Sequence, residues 1–212
     1  MHVINTFYVN SLRECLYVLS SESKECVIVD PGCQNDRERT RVEEYLETEG
    51  LRPVCILLTH AHFDHVLSLG WFAGKYGIPA VMSAADSDLL SKLRQYTNLF
   101  GMEFIPTDRV TFRYVSDGEE ISYAGFTFKV IATPGHTEGG ICYLEQAEKI
   151  LFTGDTLFEG SIGRTDFEES GEEDMCISLE KLKRLDKDIA VYPGHGYSTT
   201  IGEELRSNPY LR

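Results

Sequence analysis

Three histidines and an aspartate lie within six positions of one short segment, residues 57–68, which reads LLTHAHFDHVLS. These side chains are His60, His62, Asp64 and His65, in a chain that has six histidines altogether. His60 and His62 are two positions apart, so in an extended segment they point to the same side. Imidazole nitrogen binds zinc and other first-row metals, and a carboxylate can bridge two ions. The segment therefore predicts a metal site.

Three further candidate ligands lie in turn-rich segments, each at the end of an apolar run. They are His136 in VIATPGHTEGG, Asp155 in ILFTGDTLFEG and His195 in IAVYPGHGYS. A rigid strand fixes where the following loop begins, so residues from several strand ends can converge on one point. Each of these residues alone is typical of a glycine-rich turn. Together with residues 60–65 they predict a binuclear site, in which two metals about 3.5–4 Å apart lower the pKa of a shared water.

Short apolar runs bounded by turn residues predict the strands that position these ligands. Strands are predicted in two β-rich parts of the chain. The first part comprises residues 2–30, 53–59 and 78–83, and the second comprises residues 109–155 and 188–196. Helical spacing predicts helices over residues 35–50, 66–77, 84–101 and 172–185. Two mixed sheets that face each other would bury their apolar faces and leave the helices outside. The fold class is therefore predicted as α/β (α+β), with the site in loops along one edge.

Composition narrows the class of protein further. The chain has 212 residues with 42% hydrophobic content, which is enough for one packed core. Its formal net charge of −14 argues against a nucleic-acid partner, since phosphate binding needs clustered Lys and Arg. No apolar run is long enough to span a membrane, and the N-terminus does not resemble a signal peptide. Six scattered cysteines without a C-x-x-C pair favour free thiols in a reducing cytoplasm.

The segment THAHFDH at residues 59–65, followed by the three later ligands, resembles the metallo-β-lactamase superfamily. The resemblance implies a four-layer αββα sandwich with its metal site at one edge. It also divides the seven candidate ligands into two sets and a bridge. The first set is His60, His62 and His136, the second set is Asp64, His65 and His195, and the bridge is Asp155.

Within the superfamily, GDTLFEGSIGRTDF at residues 154–167 and GHGYSTTIGEELRSNPYL at residues 194–211 are similar to short glyoxalase II-like proteins, the hydroxyacylglutathione hydrolase-like group. Full-length glyoxalase II carries a further helical domain that supplies part of its glutathione site. The resemblance here implies a single domain over residues 1–212 without that helical domain. The loop after Asp155, which reads GSIGRTD at residues 160–166, also departs from the glyoxalase II pattern.

The resemblance implies a hydrolase that acts on a thioester, such as S-lactoylglutathione or a related acyl thioester. Two divalent ions are expected, Zn²⁺ first, with Fe or Mn as alternatives that the same donors accept. A hydroxide shared by the metals would attack the carbonyl carbon, with Asp64 and Asp155 as catalytic residues. The expected partner is a small molecule, not a nucleic acid or a membrane. The oligomeric state cannot be read from the sequence.

Candidate substrate-binding residues are Arg164, Tyr143 and Tyr197. The guanidinium of Arg164 could grip a substrate carboxylate, and an ion pair with Asp166 is an equal alternative. Each tyrosine is a candidate for lining the pocket, with aromatic packing as the alternative. Candidates for hydrogen bonds to the ligands, each with a plain turn role as the alternative, are Thr59, Asp30 and Thr137.

Two alternatives to the thioester hydrolase stay open. GRTDF at residues 163–167 also resembles persulfide dioxygenases, in which one Fe(II) would be held by His60, His136 and Asp155. Against this, Ser161 and Ile162 stand where those enzymes have a cysteine-containing pattern. The other alternative is a non-catalytic metal-binding module, but structural zinc sites are usually closed and often contain cysteine. The charge disfavours a nuclease, and Asp155, where β-lactamases typically have cysteine, disfavours that class.

Overall fold

Two six-stranded β-sheets lie face to face in the computed structural model, which describes residues 2–212. The first sheet contains, in spatial order, β1 (Val3–Val9), β2 (Glu14–Ser20), β3 (Glu25–Val29), β4 (Arg52–Leu57), β5 (Ala80–Met82) and β6 (Phe112–Tyr114). Strands β1 to β3 pair antiparallel, and β3 to β6 pair parallel. The parallel strands therefore end at the same edge of the sheet.

The second sheet is built mainly from the later part of the chain. Its strands are β7 (Glu120–Tyr123), β8 (Phe126–Ala132), β9 (Ile141–Glu145), β10 (Ile150–Gly154), β13 (Ala190–Pro193) and β14 (Thr199–Thr200). Their spatial order is β14-β13-β10-β9-β8-β7, and β10 pairs parallel with β13 while the other neighbours are antiparallel. A separate small hairpin joins β11 (Leu157–Phe158) to β12 (Ser161–Ile162).

The helices are α1 (Asp36–Glu49), α2 (Phe63–Val66), α3 (Leu69–Tyr76), α4 (Ser87–Ser91), α5 (Leu93–Leu99), α6 (Glu172–Leu182) and α7 (Ile201–Ser207). A 3₁₀ turn at Ala84–Asp86 precedes α4. Helix α1 and its two capping residues span the predicted residues 35–50. The Asn35 side chain accepts from the Glu38 N–H at the start of the helix, and Gly50 with φ +63° ends it. The helix predicted over residues 84–101 is broken into three pieces, and α7 was not predicted.

Three apolar layers hold the sheets and helices together. Successive side chains of a strand point to opposite faces, and β2 shows this directly. Tyr17 and Leu19 point into the layer between the sheets, whereas Leu16 and Val18 point into the layer beneath the helices of the first half. A third layer packs the outer face of the second sheet against α6 and α7. The predicted four-layer αββα sandwich is therefore confirmed.

One predicted pocket residue belongs to the central layer instead. Tyr143 is wholly buried on β9, and its hydroxyl donates to the backbone oxygens of Leu58 at 3.0 Å and Val81 at 3.1 Å. The prediction that Tyr143 lines a substrate pocket is corrected, because a strand side chain on the inner face has no access to solvent. All six cysteines are free thiols, and five are buried. No helix among residues 2–212 is long and apolar enough to cross a bilayer.

Candidate metal centre

The candidate metal centre lies where loops from both sheets meet at one edge. The loop after β4 carries His60 and His62, and the first turn of α2 carries Asp64 and His65. The second sheet contributes the β8–β9 loop, the residue directly after β10 and the loop after β13, which carry His136, Asp155 and His195. The N–H of Gly194 donates to the Gly154 oxygen at 2.8 Å, which joins the two parallel strand ends beside the site.

The structure brings the first set of predicted ligands together. Ligand atoms of His60, His62 and His136 all lie within 4.8 Å of one another. His62 Nδ1 is 2.8 Å from His136 Nε2, so these two ring nitrogens face each other at hydrogen-bonding distance. His60 is 3% exposed and His136 is also buried, so bulk water does not solvate these rings. The geometry suits three nitrogen donors to one cation.

The second set also converges, and Asp155 contacts both sets. Ligand atoms of Asp64, His65 and His195 lie within 4.8 Å of one another, with Asp64 Oδ2 3.2 Å from His195 Nε2. Asp155 places Oδ1 3.4 Å from His65 Nε2, and its Oδ2 is 3.4 Å from His136 Nε2 and 3.7 Å from His195 Nε2. A carboxylate between two groups of imidazoles is where a bridging ligand would lie.

The second nitrogen of each ring is hydrogen-bonded away from the cluster. The acceptors are Thr59 Oγ1 for His60, Glu169 Oε1 for His62, Asp30 Oδ2 for His65, the Arg164 carbonyl for His136 and the Leu12 carbonyl for His195, at distances of 2.9 to 3.2 Å. These acceptors place the ring proton on the outer nitrogen. The inner nitrogen of each ring therefore carries the lone pair that a metal requires.

Several buried polar atoms of the cluster have no hydrogen-bond partner within residues 2–212. They are His60 Nε2, His65 Nε2 and Asp155 Oδ1, and outside the predicted ligands both carboxylate oxygens of Glu14. Buried polar atoms are almost always paired, and leaving one unpaired costs about 1–3 kcal/mol. The three ligand atoms face one another, and their nitrogen and oxygen donors are those that zinc and iron accept. The residues present therefore fit a pair of divalent cations.

The two sets differ in how readily their imidazoles take up a proton. Burial, assisted by the charge of neighbouring histidines, lowers the pKa of His60 well below its usual value, and burial also lowers the pKa of His136. Burial acts in the same direction on His65 and His195, but the neighbouring carboxylates of Asp64 and Asp155 outweigh it and raise both pKa values. His65 and His195 are therefore more basic than His60 and His136.

Asp30 supports the centre from the end of β3. Its Oδ1 accepts from the Thr59 N–H at 2.7 Å, and its Oδ2 accepts from the Thr59 hydroxyl at 2.5 Å and from His65 Nδ1 at 3.1 Å. Asp30 thus holds the loop that carries His60 and orients His65 at the same time. The predicted hydrogen-bonding roles of Asp30 and Thr59 agree with this geometry. Thr137, the third such candidate, donates to Asp86 instead of to a ligand.

Asp86 and Glu14 were missed by the sequence analysis. Asp86 is 2% exposed and accepts three hydrogen bonds, from the Ala61 N–H, the Gly139 N–H and the Thr137 hydroxyl, so it ties two ligand loops together. Glu14 is wholly buried with Oε1 3.9 Å from His65 Nδ1, and burial raises its pKa well above the usual value. Glu14 directly precedes the apolar run of residues 15–19, and this position at the start of a buried strand was a signal that could have identified it.

The two other predicted substrate residues lie near the centre. Arg164 donates from Nε and Nη2 to both oxygens of Asp166, at 2.7 and 2.8 Å, and its guanidinium lies over the Phe167 ring. The ion pair, one of the two alternatives for Arg164, is therefore the one that this structure contains. Tyr197 is 67% exposed two residues after His195, and its role in lining a pocket stays a prediction.

Residues 15–195 match the family model of the metallo-beta-lactamase superfamily. The chain belongs to this superfamily, as the motif at residues 59–65 predicted. The hydroxyacylglutathione hydrolase GloC of Haemophilus influenzae is 36% identical over 205 residues, which cover 96% of this chain and 95% of that protein. Membership and the two clusters of ligand atoms together support a metal-binding hydrolase.

Three solved structures are similar in fold to this chain, and their descriptions differ. BLEG-1, described as a B3 metallo-beta-lactamase, has a TM-score of 0.89 at 34% identity, and the match covers 99% of both chains. TTHA1623 in a di-iron-bound form has a TM-score of 0.85 at 31% identity over 98% of this chain and 100% of that chain. ETHE1 from Myxococcus xanthus has a TM-score of 0.79 at 26% identity over 98% of this chain and 83% of that chain.

Proposed function

We propose that the protein is a metal-dependent hydrolase of acyl thioesters, with S-lactoylglutathione or a related acyl thioester as substrate. The observation that carries the proposal is the convergence of five imidazole nitrogens and two carboxylates on one buried space. The resemblance of nearly the whole chain to the hydroxyacylglutathione hydrolase GloC supports the thioester. Two divalent cations, zinc in the first place, would occupy the two sets of ligands.

The residues of the two sets have separate tasks in this proposal. The first set would hold one cation, the second set the other, and Asp155 would contact both. When bound, the cations supply positive charge that polarises a carbonyl and favours loss of a proton from a nearby water. Asp64 is buried, yet the charge of His65 and the hydrogen bond with His195 lower its pKa. An ionised carboxylate only accepts hydrogen bonds, so Asp64 is suited to orient the attacking water.

The carboxylates also bear on the leaving group. Burial opposes the charge of Asp155, but His65 and the other imidazoles lower its pKa well below the usual value, as they do for Asp64. Neither carboxylate therefore holds a proton that it could donate at neutral pH. A thiol has a pKa of about 8.5, so a thiolate leaves without first being protonated. A site whose two carboxylates are ionised suits a leaving group that needs no proton. This supports a thioester over an amide or an alkyl ester as the substrate.

Aromatic rings lie beside the first set and would contact the bound acyl group. Phe63 directly follows His62 and stacks on Phe100, with ring centroids 5.0 Å apart and planes inclined by 19°. Phe167 packs against the edge of the His62 ring with centroids 5.4 Å apart. Phe100 is 54% exposed, so the pair of Phe63 and Phe100 reaches the surface. Apolar walls with a few convergent polar groups are typical of small-molecule sites.

A mononuclear iron persulfide dioxygenase is the second candidate, because GRTDF at residues 163–167 resembles that group and its three proposed ligands lie together. One iron held by His60, His136 and Asp155 would leave the second set without a cation. His65 Nε2 would then stay buried without a partner, which costs free energy. The donor geometry therefore favours the binuclear hydrolase over this candidate.

The activities can be compared directly on the purified protein. Samples loaded with zinc and with iron are assayed for S-lactoylglutathione hydrolysis, for oxygen uptake with glutathione persulfide and for hydrolysis of a chromogenic cephalosporin. We expect thioester hydrolysis to be the fastest of the three. Oxygen uptake that exceeds it in the iron-loaded protein would replace the proposal with the dioxygenase. Cephalosporin cleavage as the leading activity would assign the chain to the same class as its structural neighbour BLEG-1.

Replacing one ligand tests the dependence of hydrolysis on the metal centre. His62→Ala should lower thioester hydrolysis by more than about 100-fold, beyond what loss of an outer hydrogen bond costs, and should reduce bound metal. His2→Ala is the matched control, because His2 pairs with Glu148 and belongs to neither ligand set. Circular dichroism checks that both variants are folded. Full activity in a metal-depleted His62→Ala protein would refute the assignment.

A further inference from the structure

Residues 164–170 form a loop that contacts the first set of ligands at several points. The Arg164 carbonyl accepts from His136 Nδ1 at 2.9 Å, and the Ser170 hydroxyl donates to the His136 carbonyl at 2.8 Å. Phe167 packs edge-on against both His62 and His136, with centroids 5.4 and 6.0 Å apart. The loop thus lies directly behind the imidazoles that would bind the first cation.

Glu169 of this loop determines which face of the His62 ring points inward. Its Oε1 lies 3.1 Å from His62 Nε2, while His62 Nδ1 lies 2.8 Å from His136 Nε2. The carboxylate can only accept, so the proton is on Nε2 and the lone pair of Nδ1 is turned toward the ligand set. The other four imidazoles of the cluster have the opposite arrangement, with Nδ1 hydrogen-bonded outward and Nε2 facing in.

The neighbouring acidic residues of the loop do not make this contact. Asp166 is engaged by Arg164, and Glu168 is exposed. Glu169 is only partly exposed, with 24% of its side chain accessible beside a His62 side chain that is 12% accessible. A hydrogen bond shielded from water in this way orients its partner more strongly than a fully solvated one.

We propose that Glu169 is a positioning residue for the first cation, because it holds His62 in the tautomer and ring orientation that present Nδ1. This inference rests on the metal centre of the proposed function and is independent of the thioester substrate. Carboxylates that accept from a ligating imidazole fix its orientation and raise its basicity, and losing one typically weakens metal binding by about 10–100-fold. Arg164, ion-paired with Asp166 and stacked on Phe167, would brace the loop that carries Glu169.

Zinc affinity of the purified full-length chain, measured by competition with a chromophoric chelator, tests the proposal without any substrate. Glu169→Ala should weaken binding by about 10–100-fold. Glu169→Gln keeps an oxygen that accepts from His62 Nε2, so it should weaken binding less than Glu169→Ala does. Glu168→Ala removes the same charge one residue earlier without touching His62, and it should bind zinc as the wild type does. The unfolding midpoint of the metal-free Glu169→Ala protein should equal that of the wild type.

The outcomes separate this inference from the proposed function. A wild-type protein that binds no zinc or iron would overturn the metal centre and the inference together. Wild-type binding with unchanged affinity in Glu169→Ala would overturn the inference alone. Equal losses in Glu168→Ala and Glu169→Ala would also overturn it, because they would show a general effect of charge. A lowered unfolding midpoint in the metal-free Glu169→Ala protein would identify a structural role for the loop instead.

Discussion

The pKa values of the imidazoles in this centre are shifted in opposite directions, depending on the groups that surround each ring. His60 and His136 are buried beside other imidazoles, so their pKa values fall below the usual 6.5. His65 and His195 are also buried, but the carboxylates Asp64 and Asp155 raise their pKa values above 6.5. A metal must displace any proton on its ligand nitrogen, so the two cations should respond to pH differently.

Lowering the pH should release the cation of the second set first. Protonation of His195 and His65 begins above pH 6.5, whereas His60 and His136 stay neutral until the pH is below 6.5. Metal per chain, measured after equilibration at fixed free zinc from about pH 8 downward, should therefore fall in two steps. His2→Ala, which changes a histidine outside both sets, should give the same two steps. Loss of both metals in a single step would contradict the prediction.

The convergence of the seven candidate ligands could be predicted from the sequence because imidazoles are scarce and lie, with the two carboxylates, in four ordered segments. Their convergence follows from strands that all end at one edge. Glu169 and Asp86 could not be predicted, since the chain has 34 acidic residues and most of them are ordinary surface groups. The contact between His62 and Glu169 spans 107 positions, a distance over which spacing carries no information. The prediction for Tyr143 was wrong because the sequence alone does not show that β9 is buried on both faces.

At the scale of elements, short segments between strands hold the centre in place more than the helices do. The 3₁₀ turn that ends at Asp86 directs that carboxylate toward the loop after β4 and the β8–β9 loop. The helix predicted over residues 84–101 is interrupted at this turn and again at Lys92, so local periodicity predicted the helical character of the region but not its interruptions.

Removing the Asp86 carboxylate should destabilise the metal-free protein. Asp86→Ala would leave the N–H groups of Ala61 and Gly139 buried without an acceptor, at about 1–3 kcal/mol each. Asp88→Ala, two residues later on an exposed position of α4, should change stability by less than about 0.5 kcal/mol. Urea denaturation of the two variants measures the difference in the free energy of unfolding. Equal stability of both variants would mean that the loops are not tied through Asp86.

Position 194 should not accommodate a side chain. Gly194 follows the end of strand β13 and lies against the candidate ligands Asp155 and His65. A Cβ at this position would overlap Asp155 Oδ1 and lie 2.7 Å from His65 Cε1. Gly194→Ala should therefore displace ligands and reduce bound metal. Gly74→Ala is the control, since a Cβ there meets nothing within 4 Å and alanine in helix α3 should add about 0.5–1 kcal/mol of stability. Wild-type metal content in Gly194→Ala would show that the strand end can move away from the centre.

At the scale of the whole molecule, the centre links two sheets that also meet through the apolar side chains of the central layer and through hydrogen bonds such as those of the Tyr143 hydroxyl. The chain also carries a formal charge of −14, and three buried carboxylates, Glu14, Asp30 and Asp64, lie with the partly buried Asp155 within the centre or against it. Cations bound there would offset the charge of Asp64 and Asp155 and would pair the three ligand atoms that have no partner, His60 Nε2, His65 Nε2 and Asp155 Oδ1. The free energy of unfolding should therefore depend strongly on whether metal is bound.

Removing the metal with a chelator should lower the unfolding temperature, and adding zinc back should raise it with concentration. At a free zinc concentration of 100 times the dissociation constant the gain is about 2.7 kcal/mol per site. Calcium at equal concentration is the control for nonspecific charge neutralisation, because it prefers oxygen ligands over imidazole. Scanning calorimetry of chelated, zinc-loaded and calcium-treated samples measures the shift. An equal shift with both cations would show that the centre does not select its ion.

The division of ligands between the two halves of the chain has a consequence for biosynthesis. During translation His60, His62, Asp64 and His65 leave the ribosome long before the last ligand, His195, has been made. Cation capture by the complete centre is therefore among the final events of maturation, after the two halves have docked. A polypeptide cut short before residue 195 would be released with an unfinished pocket, even if its first sheet had already formed.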